Sequence, residues 1–230
     1  MKGICLLSSG LDSVAALAIA KKKMDIALAL TFDYGQRSAA IEKSFSKKIC
    51  DHYNIIHKTI QLGWLEAITT TSLVNKEKSL PEPSTKDLFS ETATKTAASV
   101  WVPNRNGLML NIAACFAETM DCEFIIVGFN AEEAATFPDN SPKFVDAANL
   151  FFTYSTLKGV KVYAPLLGMD KESIVKTSLE NDAPLKWSWS CYASGPDPCG
   201  VCESCKRRSL AFEKIGRADP LFAETEGISQ

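Results

Sequence analysis

A strong net charge, a membrane-spanning apolar run, a signal-peptide pattern and an internal repeat, each of which marks another protein class, are missing from this 230-residue chain. Its 25 basic and 27 acidic residues leave a formal net charge of −2. Because these charges are mixed along the chain, we do not expect nucleic acid as the main partner. No apolar run approaches the roughly 20 residues that cross a bilayer, no signal-peptide pattern opens the chain, and no internal repeat is found. We therefore expect a cytoplasmic protein with no membrane partner.

The order of apolar segments predicts an α/β fold. Short strand-like runs alternate with helical patterns, which favours a parallel sheet with helices on both faces. Residues 1–186 are predicted to form this domain, and residues 187–230 a small C-terminal segment. We predict strands over residues 4–7, 26–32, 54–62, 124–128 and 160–163, and helices over residues 13–23, 39–52, 107–120 and 203–215, with two more that begin at Pro142 and after Asp170.

Residues 63–100 interrupt this alternation. They are rich in Thr, Ser and Lys, and they contain Pro81 and Pro83. Such a long stretch without a clear period predicts a variable or partly mobile insertion.

A loop of small residues joins the first predicted strand to its helix. It reads Leu6-Leu7-Ser8-Ser9-Gly10-Leu11-Asp12-Ser13. Gly10 lets the backbone approach a ligand closely, and the amides at a helix start can bind an anion. Asp12 could hold Mg²⁺. The segment has no Gly-Lys-Ser/Thr, so it is not a Walker loop, and the alternative is a serine-rich helix cap.

Cysteines are unevenly placed along the chain. Of eight, four fall within fifteen residues at spacings of seven, two and two: Cys191, Cys199, Cys202 and Cys205. Four thiolates at this spacing can close a tetrahedral, structural metal site. An iron–sulfur cluster is the main alternative, and a chance grouping of free thiols is the other. The scattered cysteines, namely Cys5, Cys50, Cys115 and Cys122, are predicted to be small core residues.

Further motifs follow the small-residue loop in a fixed order. They are Phe32-Asp33-Tyr34-Gly35-Gln36-Arg37-Ser38 with Glu42, Val102-Pro103-Asn104-Arg105-Asn106, Ala164-Pro165-Leu166 with Asp170-Lys171, and Ser190-Cys191-Tyr192 with the last three clustered cysteines. Together with the loop they resemble the 7-cyano-7-deazaguanine synthase family of the ATP-pyrophosphatase (PP-loop) superfamily. The resemblance covers nearly the whole chain except residues 63–100. The chain departs from the family pattern at Ser9, where the family has Gly, and at Ser38, where it has His.

The resemblance implies a fold, an activity and a set of ligands. The fold is that of the adenine-nucleotide hydrolases. The activity converts 7-carboxy-7-deazaguanine and ammonia to the 7-cyano base through adenylated intermediates, with ATP split to AMP and pyrophosphate, in queuosine and deazapurine biosynthesis. ATP and Mg²⁺ are the implied cofactors, and Zn²⁺ is favoured for the cysteine site. A homodimer is left open.

The resemblance also assigns residues to roles. Asp12 would hold Mg²⁺, Lys171 and Arg105 would offset developing phosphate charge, and Glu133 would accept a proton. A solvated first-turn lysine is the alternative for Lys171. The nucleotide site would comprise Leu7, Ser8, Ser9, Gly10, Leu11, Asp12, Ser13, Phe32, Tyr34, Gln36 and Arg37.

The implied substrate loop matches less well. Asn130, Phe137 and Asp139 would bind the base, with Phe137 stacked on its ring and Asp139 accepting hydrogen bonds from its N–H edge. However, Ala135 and Thr136 stand where the family has Ser-Gly. Ordinary loop packing is the alternative for this segment.

Three other functions remain to be separated from this one. A PP-loop tRNA thiolase would need a reactive cysteine or an open cluster and a basic surface, neither of which is evident. A relative could stop at the amide or use another acceptor. A non-catalytic nucleotide-binding module would release no pyrophosphate.

Overall fold

The computed structural model describes residues 1–85, 88 and 98–222. The remaining residues of the predicted insertion, and the end of the predicted C-terminal segment, lie outside the described residues. The strands are β1 Lys2–Leu6, β2 Asp25–Asp33, β3 His57–Gln61, β4 Phe124–Ile126 and β5 Lys161–Tyr163. The helices are α1 Leu11–Lys21, α2 Ala39–Tyr53, α3 Gly63–Ile68, α4 Arg105–Thr119, α5 Ala131–Ala134, α6 Pro142–Ser155, α7 Lys171–Glu180 and α8 Glu203–Lys214, with 3-10 turns at Pro138–Asn140 and Leu185–Trp187.

The five strands form one parallel sheet in the order β3-β2-β1-β4-β5. The chain therefore adds β2 and β3 on one side of β1, and then crosses over to add β4 and β5 on the other side. Ligands of open parallel sheets bind at the carboxyl ends of the strands where this reversal occurs, here between β1 and β4. The predicted fold class is confirmed, and the sheet places a crevice at the end of β1.

Side chains of the central strands alternate between two cores. Ile4 and Ile125 belong to the core beneath α4 and α6, whereas Cys5 and Ile126 belong to the core beneath α1, α7 and α8. This alternation follows from the period of two in a strand. Both faces are therefore covered, as the apolar strand sequences predict.

Gly128, just beyond β4, permits a close approach to the start of α1. A Cβ atom at this position would lie 2.8 Å from the Asp12 carbonyl carbon and 2.8 Å from the Ser13 nitrogen. Any larger residue would push the loop that precedes α1 away from the sheet. Gly128 thus sets the distance between β4 and the small-residue loop.

Two predicted helix starts are confirmed by their caps. The Ser141 side chain accepts a hydrogen bond from the Phe144 N–H, and Pro142 opens α6. The Asp170 carboxylate accepts from the Ser173 N–H at the start of α7. Among the described residues, no helix is both long and apolar enough to cross a membrane.

The described part of residues 63–100 is packed into the main core. It begins with α3, and its buried side chains include Leu65, Leu73, Val74 and Val100. Arg37 donates hydrogen bonds from its guanidinium to the carbonyl oxygens of Ser72, Asn75 and Lys78. The described residues therefore attach to the α/β domain, and variability of the segment stays a prediction.

One prediction about the scattered cysteines is wrong. Cys115 is exposed, whereas Cys5, Cys50 and Cys122 are buried. Asn111, Cys115 and Thr119 are four residues apart on α4 and form one solvent-facing stripe. A helix that is apolar on nearly every side still leaves one line of residues facing water here.

Candidate active site

A cleft of about 280 Å³ opens at the carboxyl ends of β1, β2 and β4. The small-residue loop forms its floor, and residues from α4, the substrate loop, α7 and the C-terminal segment form its sides. The structure brings fourteen of the sequence-predicted residues to this cleft: Leu7, Ser8, Gly10, Leu11, Asp12, Ser13, Phe32, Tyr34, Arg105, Glu133, Phe137, Asp139, Lys171 and Cys191.

The start of α1 presents free backbone amides to the cleft. No described side chain caps this helix, which begins after Gly10. The Ser13 hydroxyl donates to the Gly10 carbonyl at 2.9 Å, and Ser8 Oγ lies 3.3 Å from Ser13 Oγ. An uncapped helix start with two hydroxyl groups beside it suits an anion such as phosphate.

The carbonyl groups of the loop are bonded away from the cleft. The hydroxyl groups of Thr31 and Ser46 donate to the Leu7 carbonyl, at 2.6 and 3.2 Å. The Trp189 N–H donates to the Ser9 carbonyl at 2.8 Å. In a trans peptide the N–H points opposite to the C=O, so the second bond fixes the direction of the Gly10 N–H. The loop is thereby held in one conformation, in which the Gly10 N–H donates to Ser8 Oγ at 3.3 Å.

Ser9 has the left-handed backbone conformation that glycine adopts most easily. Its φ is +56°, its side chain is fully buried, and its Oγ lacks a hydrogen-bond partner among the described residues. Ser9 does not line the cleft. Its contribution to a ligand would therefore come from the backbone, not from the hydroxyl group.

Asp12, Lys171 and Glu133 form a charged group in the cleft. Lys171 Nζ lies 2.6 Å from Asp12 Oδ2 and 3.3 Å from Glu133 Oε1, and the Lys171 side chain is only 11% exposed. Burial alone lowers the pKa of Lys171, but the two carboxylates outweigh it and raise that pKa above its ordinary value. Lys171 is therefore a charged cleft residue and not a solvated first-turn lysine.

The second oxygen of Asp12 has no partner. Asp12 Oδ1 is buried and makes no hydrogen bond to any described residue. Burial raises the pKa of the Asp12 carboxyl, and Lys171 opposes that shift. A buried carboxylate oxygen without a donor is a suitable ligand for a divalent cation.

A second layer of charges holds this group. Glu132 accepts a hydrogen bond from the Lys171 backbone N–H at 2.8 Å and pairs with Arg207 at 3.1 Å. Arg207 also pairs with Glu203 at 2.9 Å. Arg207 is buried, although it lies in a short basic run, Lys206-Arg207-Arg208, of the kind that usually faces solvent on a helix. Its contacts join α8 to the loop that carries Glu133.

Arg105, Tyr34 and Asp139 form a second polar group in the cleft. Arg105 Nη1 donates to Tyr34 Oη at 2.8 Å, and the guanidinium lies 5.5 Å from the Tyr34 ring centroid. Burial raises the pKa of Asp139, and the Arg105 charge partly offsets this. An anionic acceptor beside a fixed cation can recognise a ligand edge that offers N–H donors.

Two aromatic residues beside this group were missed from the sequence. The ring of Trp101 stacks on that of Phe137, with centroids 5.9 Å apart and planes 10° from parallel. Tyr192 lines the same part of the cleft. Trp101 directly precedes the Val-Pro-Asn-Arg-Asn motif, and Tyr192 directly follows Cys191. Adjacency to a motif is the signal that could have found them.

Three more predicted residues support the site without lining the cleft. Gln36 is buried and bonds to the Tyr34 N–H and the Phe32 carbonyl. Asn130 is fully buried and caps α5 through the Glu133 N–H. Arg37 holds the carbonyl groups of residues 72–78. Their contacts are structural.

The four clustered cysteines could hold one metal ion. Their sulfur atoms all lie within 4.8 Å of one another. A tetrahedral zinc site with Zn–S bonds of about 2.3 Å would place its sulfur atoms roughly 3.8 Å apart. The thiolates around a cubane cluster must lie farther apart because several iron ions lie between them. The spacing of these sulfur atoms suits a single ion.

Backbone amides already point at these sulfur atoms. The N–H groups of Ala193 and Cys199 donate to Cys191 Sγ at 3.3 Å each, and Gly200 takes a φ of +71° in the turn between Cys199 and Cys202. Hydrogen bonds from Cys202 and Cys205 lower the pKa of the Cys191 thiol, whereas hydrogen bonds within the same set raise the pKa values of Cys202 and Cys205. The two backbone amides favour negative charge on Cys191 Sγ, which a metal ligand requires.

The metal segment, residues 188–205, forms one side of the cleft. Trp189, Ser190 and Tyr192 line it. Arg208 of α8 fixes this segment by donating to the Ser188 carbonyl and hydroxyl, at 3.0 and 2.8 Å. Arg208 is buried and pairs with Asp219, so it is not solvated. The cysteine site is therefore part of the cleft rather than a remote appendage.

The sequence comparisons with known proteins agree on one family. The sequence model described as queuosine biosynthesis protein QueC matches residues 2–216. The 7-cyano-7-deazaguanine synthase of Methanosarcina mazei is 55% identical, over 96% of this chain and 98% of its own. That of Desulforamulus reducens is 48% identical, over 94% and 95%. The structure of NMN synthetase from Francisella tularensis has a TM-score of 0.49 at 16% identity, covering 94% of this chain and 77% of its own. The chain belongs to the QueC family of queuosine biosynthesis proteins.

Proposed function

We propose that this protein is a C–N bond-forming ligase that converts 7-carboxy-7-deazaguanine and ammonia to 7-cyano-7-deazaguanine, with ATP split to AMP and pyrophosphate. The observation that carries the proposal is the composition of the single cleft. The cleft is lined by an uncapped helix start with Asp12 and Lys171, and by the aromatic pair of Trp101 and Phe137 with Asp139. The first suits a triphosphate and the second suits a purine-like base, so the reacting groups would meet between them.

The first half-reaction makes the amide. A carboxylate oxygen of the substrate attacks the α-phosphorus of ATP, and pyrophosphate leaves. Ammonia then attacks the activated carbonyl carbon, and AMP leaves with that oxygen. The amides of the loop and Lys171 would stabilise the charge that develops on the phosphates. Arg105, which interacts with Asp139, would face the carboxylate of the substrate.

The second half-reaction removes the remaining oxygen. The amide oxygen attacks the α-phosphorus of a second ATP, and pyrophosphate leaves again. Loss of AMP and of the two amide protons then gives the nitrile. Glu133, whose carboxylate lies 3.3 Å from Lys171 Nζ, is placed to accept one of these protons.

Two metal ions complete the proposal. Asp12 Oδ1, buried and unpartnered, would hold Mg²⁺, which would neutralise charge on the phosphate oxygens. Zn²⁺ at the four cysteines would have a structural role, because four sulfur ligands leave no open position. Of the cysteines in the described part of the chain, Cys191 alone lines the cleft, and it belongs to this set. A sulfur-carrying thiol for tRNA thiolation is therefore not provided there.

Product analysis tests this function. With ATP, ammonium and 7-carboxy-7-deazaguanine, mass spectrometry should detect the nitrile together with AMP and pyrophosphate. Accumulation of the amide alone would retain the first half-reaction and reject the second. ADP as the nucleotide product, or no product from this acid, would reject the proposal.

Asp139→Ala should impair recognition of the base. If Asp139 accepts hydrogen bonds from a buried N–H edge, its loss leaves those donors unpaired. We expect the KM for 7-carboxy-7-deazaguanine to rise by roughly tenfold or more, with the KM for ATP nearly unchanged. Steady-state kinetics with each substrate varied in turn would measure both.

Phe137→Tyr is the matched control in the same loop. It keeps the ring that stacks on Trp101, so the KM should change little, whereas Phe137→Ala should weaken the same substrate. An equal rise of both KM values in Asp139→Ala would show that the loop, not the acceptor, was disturbed.

Ser9→Gly should stabilise the protein. A non-glycine residue in the left-handed region costs about 1–2 kcal/mol, of which glycine's greater freedom in the unfolded chain cancels part. Ser9 also buries an unpartnered hydroxyl group. We expect a rise in Tm of roughly 2 °C with the dissociation constant for ATP unchanged, measured by calorimetry and ligand titration.

Asn54→Gly provides the comparison, because Asn54 has a φ of +55° at the end of α2. It should change Tm slightly and ATP affinity not at all. A large loss of ATP affinity in Ser9→Gly alone would show that the Ser9 hydroxyl group contacts phosphate.

A further inference from the structure

Within the described part of the chain, four carboxylates line the cleft, and the proposed reaction uses three of them. The four are Asp12, Glu42, Glu133 and Asp139. Asp12 and Glu133 pair with Lys171, and Asp139 lies in the field of Arg105 beside the aromatic pocket. Glu42 makes no ion pair with any described residue.

Glu42 is held in one orientation by two uncharged donors. The Ser38 hydroxyl donates to Glu42 Oε1 at 2.5 Å, and Gln36 Nε2 donates to Glu42 Oε2 at 2.9 Å. Gln36 is itself fixed by the Tyr34 N–H and the Phe32 carbonyl. Each carboxylate oxygen therefore has one donor and keeps a lone pair. The network positions an anionic acceptor in the cleft without neutralising it.

The proposed reaction needs such an acceptor. Ammonia is present in neutral solution almost entirely as ammonium, which has no lone pair with which to attack carbon. Ammonium must therefore be bound and must lose a proton inside a site from which water is largely excluded. A carboxylate that is oriented, partly buried and not ion-paired can do both.

We propose that Glu42 binds the ammonium ion in the cleft and removes its proton, so that neutral ammonia attacks the adenylated carbonyl. This inference rests on the proposed function and identifies the second substrate's site. The proton moves from ammonium to a Glu42 oxygen, the nitrogen lone pair forms the C–N bond, and the C–O bond to AMP breaks. The amide nitrogen then loses a second proton to solvent, and Glu42 returns its own to solvent.

The charged groups around Glu42 are consistent with this role. Burial raises the pKa of Glu42, and the hydrogen bonds from Ser38 and Gln36 lower it again. The positive charge of Arg105 on α4 also lowers the pKa of Glu42, whereas the negative charge of Asp33 at the end of β2 raises it. Tyr34 interacts with Arg105, Glu42 and Asp33. Asp33 is paired with Lys43 at 2.8 Å, so its effect is reduced. Burial thus makes the carboxylate a better base, while Arg105 favours neutral ammonia over ammonium once the proton has left.

Glu42→Gln tests the proposal through two separate half-reactions. Exchange of labelled pyrophosphate into ATP, with 7-carboxy-7-deazaguanine and no ammonium, reports adenylation alone and should stay within about twofold of wild type. Amide formation from ammonium should fall by roughly 100-fold or more. The rate of amide formation by Glu42→Gln should then rise with pH, because free ammonia replaces ammonium in solution.

Hydroxylamine provides the rescue. It is a neutral nucleophile at neutral pH, so Glu42→Gln should form the hydroxamate at close to the wild-type rate. Asp51→Asn is the matched control, since it makes the same carboxylate-to-amide change at an exposed position of α2. It should change neither reaction. Ser38→Ala, which removes one orienting donor, should raise the KM for ammonium with a smaller loss of rate.

Three results would overturn the assignment. Loss of pyrophosphate exchange in Glu42→Gln would place Glu42 in nucleotide or acid binding. Unchanged use of ammonium would remove it from the reaction, and failure of hydroxylamine to restore the rate would exclude a proton-accepting role. Absence of exchange in the wild-type protein would instead contradict the proposed function itself.

Discussion

Asp12→Asn should lower the rate of adenylate formation by about 100-fold or more, with the fold intact. Asp12 Oδ2 lies 2.6 Å from Lys171 Nζ, and Oδ1 is buried and has no hydrogen-bond partner among the described residues. Asparagine keeps the shape but removes the charge that would hold Mg²⁺ and orient Lys171 against the phosphates. Pyrophosphate exchange would measure the rate, and a thermal melt would show that the variant is folded.

Asp25→Asn is the matched control for this experiment. Asp25 is exposed and is the first residue of β2, so it lies at the amino-terminal end of the strands, away from the cleft at their carboxyl ends. The same chemical change there should leave exchange unaltered. A wild-type exchange rate in Asp12→Asn would contradict the assignment of Asp12 as the metal ligand.

Cys202→Ala should remove the metal and weaken both the fold and the nucleotide site. Cys202 is 1% exposed and immediately precedes α8. Loss of a closed structural site commonly costs several kcal/mol, so we expect Tm to fall by roughly 10 °C or more. ATP affinity should fall as well, because the metal segment supplies the Trp189 N–H that bonds to the Ser9 carbonyl. Metal analysis, calorimetry and ATP titration below the new Tm would measure these effects.

The exposed Cys115 provides the control, since Cys115→Ala removes a thiol outside the metal set. It should retain about one zinc per chain and the wild-type Tm. Iron with acid-labile sulfide in the purified protein would contradict the zinc assignment. A metal-free Cys202→Ala with unchanged Tm and ATP affinity would contradict the structural role of the site.

The features that the sequence predicted are those encoded by local patterns. The alternation of apolar strands with helices predicted the parallel sheet, and short motifs located the loop at Gly10 and Asp12. Cysteine spacing alone predicted a set of four sulfur atoms that the fold does bring together. These signals lie in the order and spacing of residues along the chain, so no knowledge of the tertiary structure was needed.

The features that the sequence did not reveal depend on distant contacts. Arg208 belongs to the basic run Lys206-Arg207-Arg208, which the sequence alone would place on a solvated helix face. In the fold, Ser188 and Asp219 lie beside it. Trp101 gains its role because the substrate loop brings Phe137 against it. The support of Ser9 by Trp189 joins positions 180 residues apart. Such pairs depend on how the helices and strands pack together, and they cannot be predicted from the patterns of a single sequence.

Transfer of oxygen from substrate to nucleotide tests the adenylation mechanism most directly. The acid would be supplied with ¹⁸O at both carboxylate oxygens, in unlabelled water, with ATP and ammonium. Each oxygen should leave on an α-phosphate, so every nitrile formed should be matched by two AMP molecules that each carry one ¹⁸O, and pyrophosphate should be unlabelled. Unlabelled AMP, or label in the water, would contradict the account.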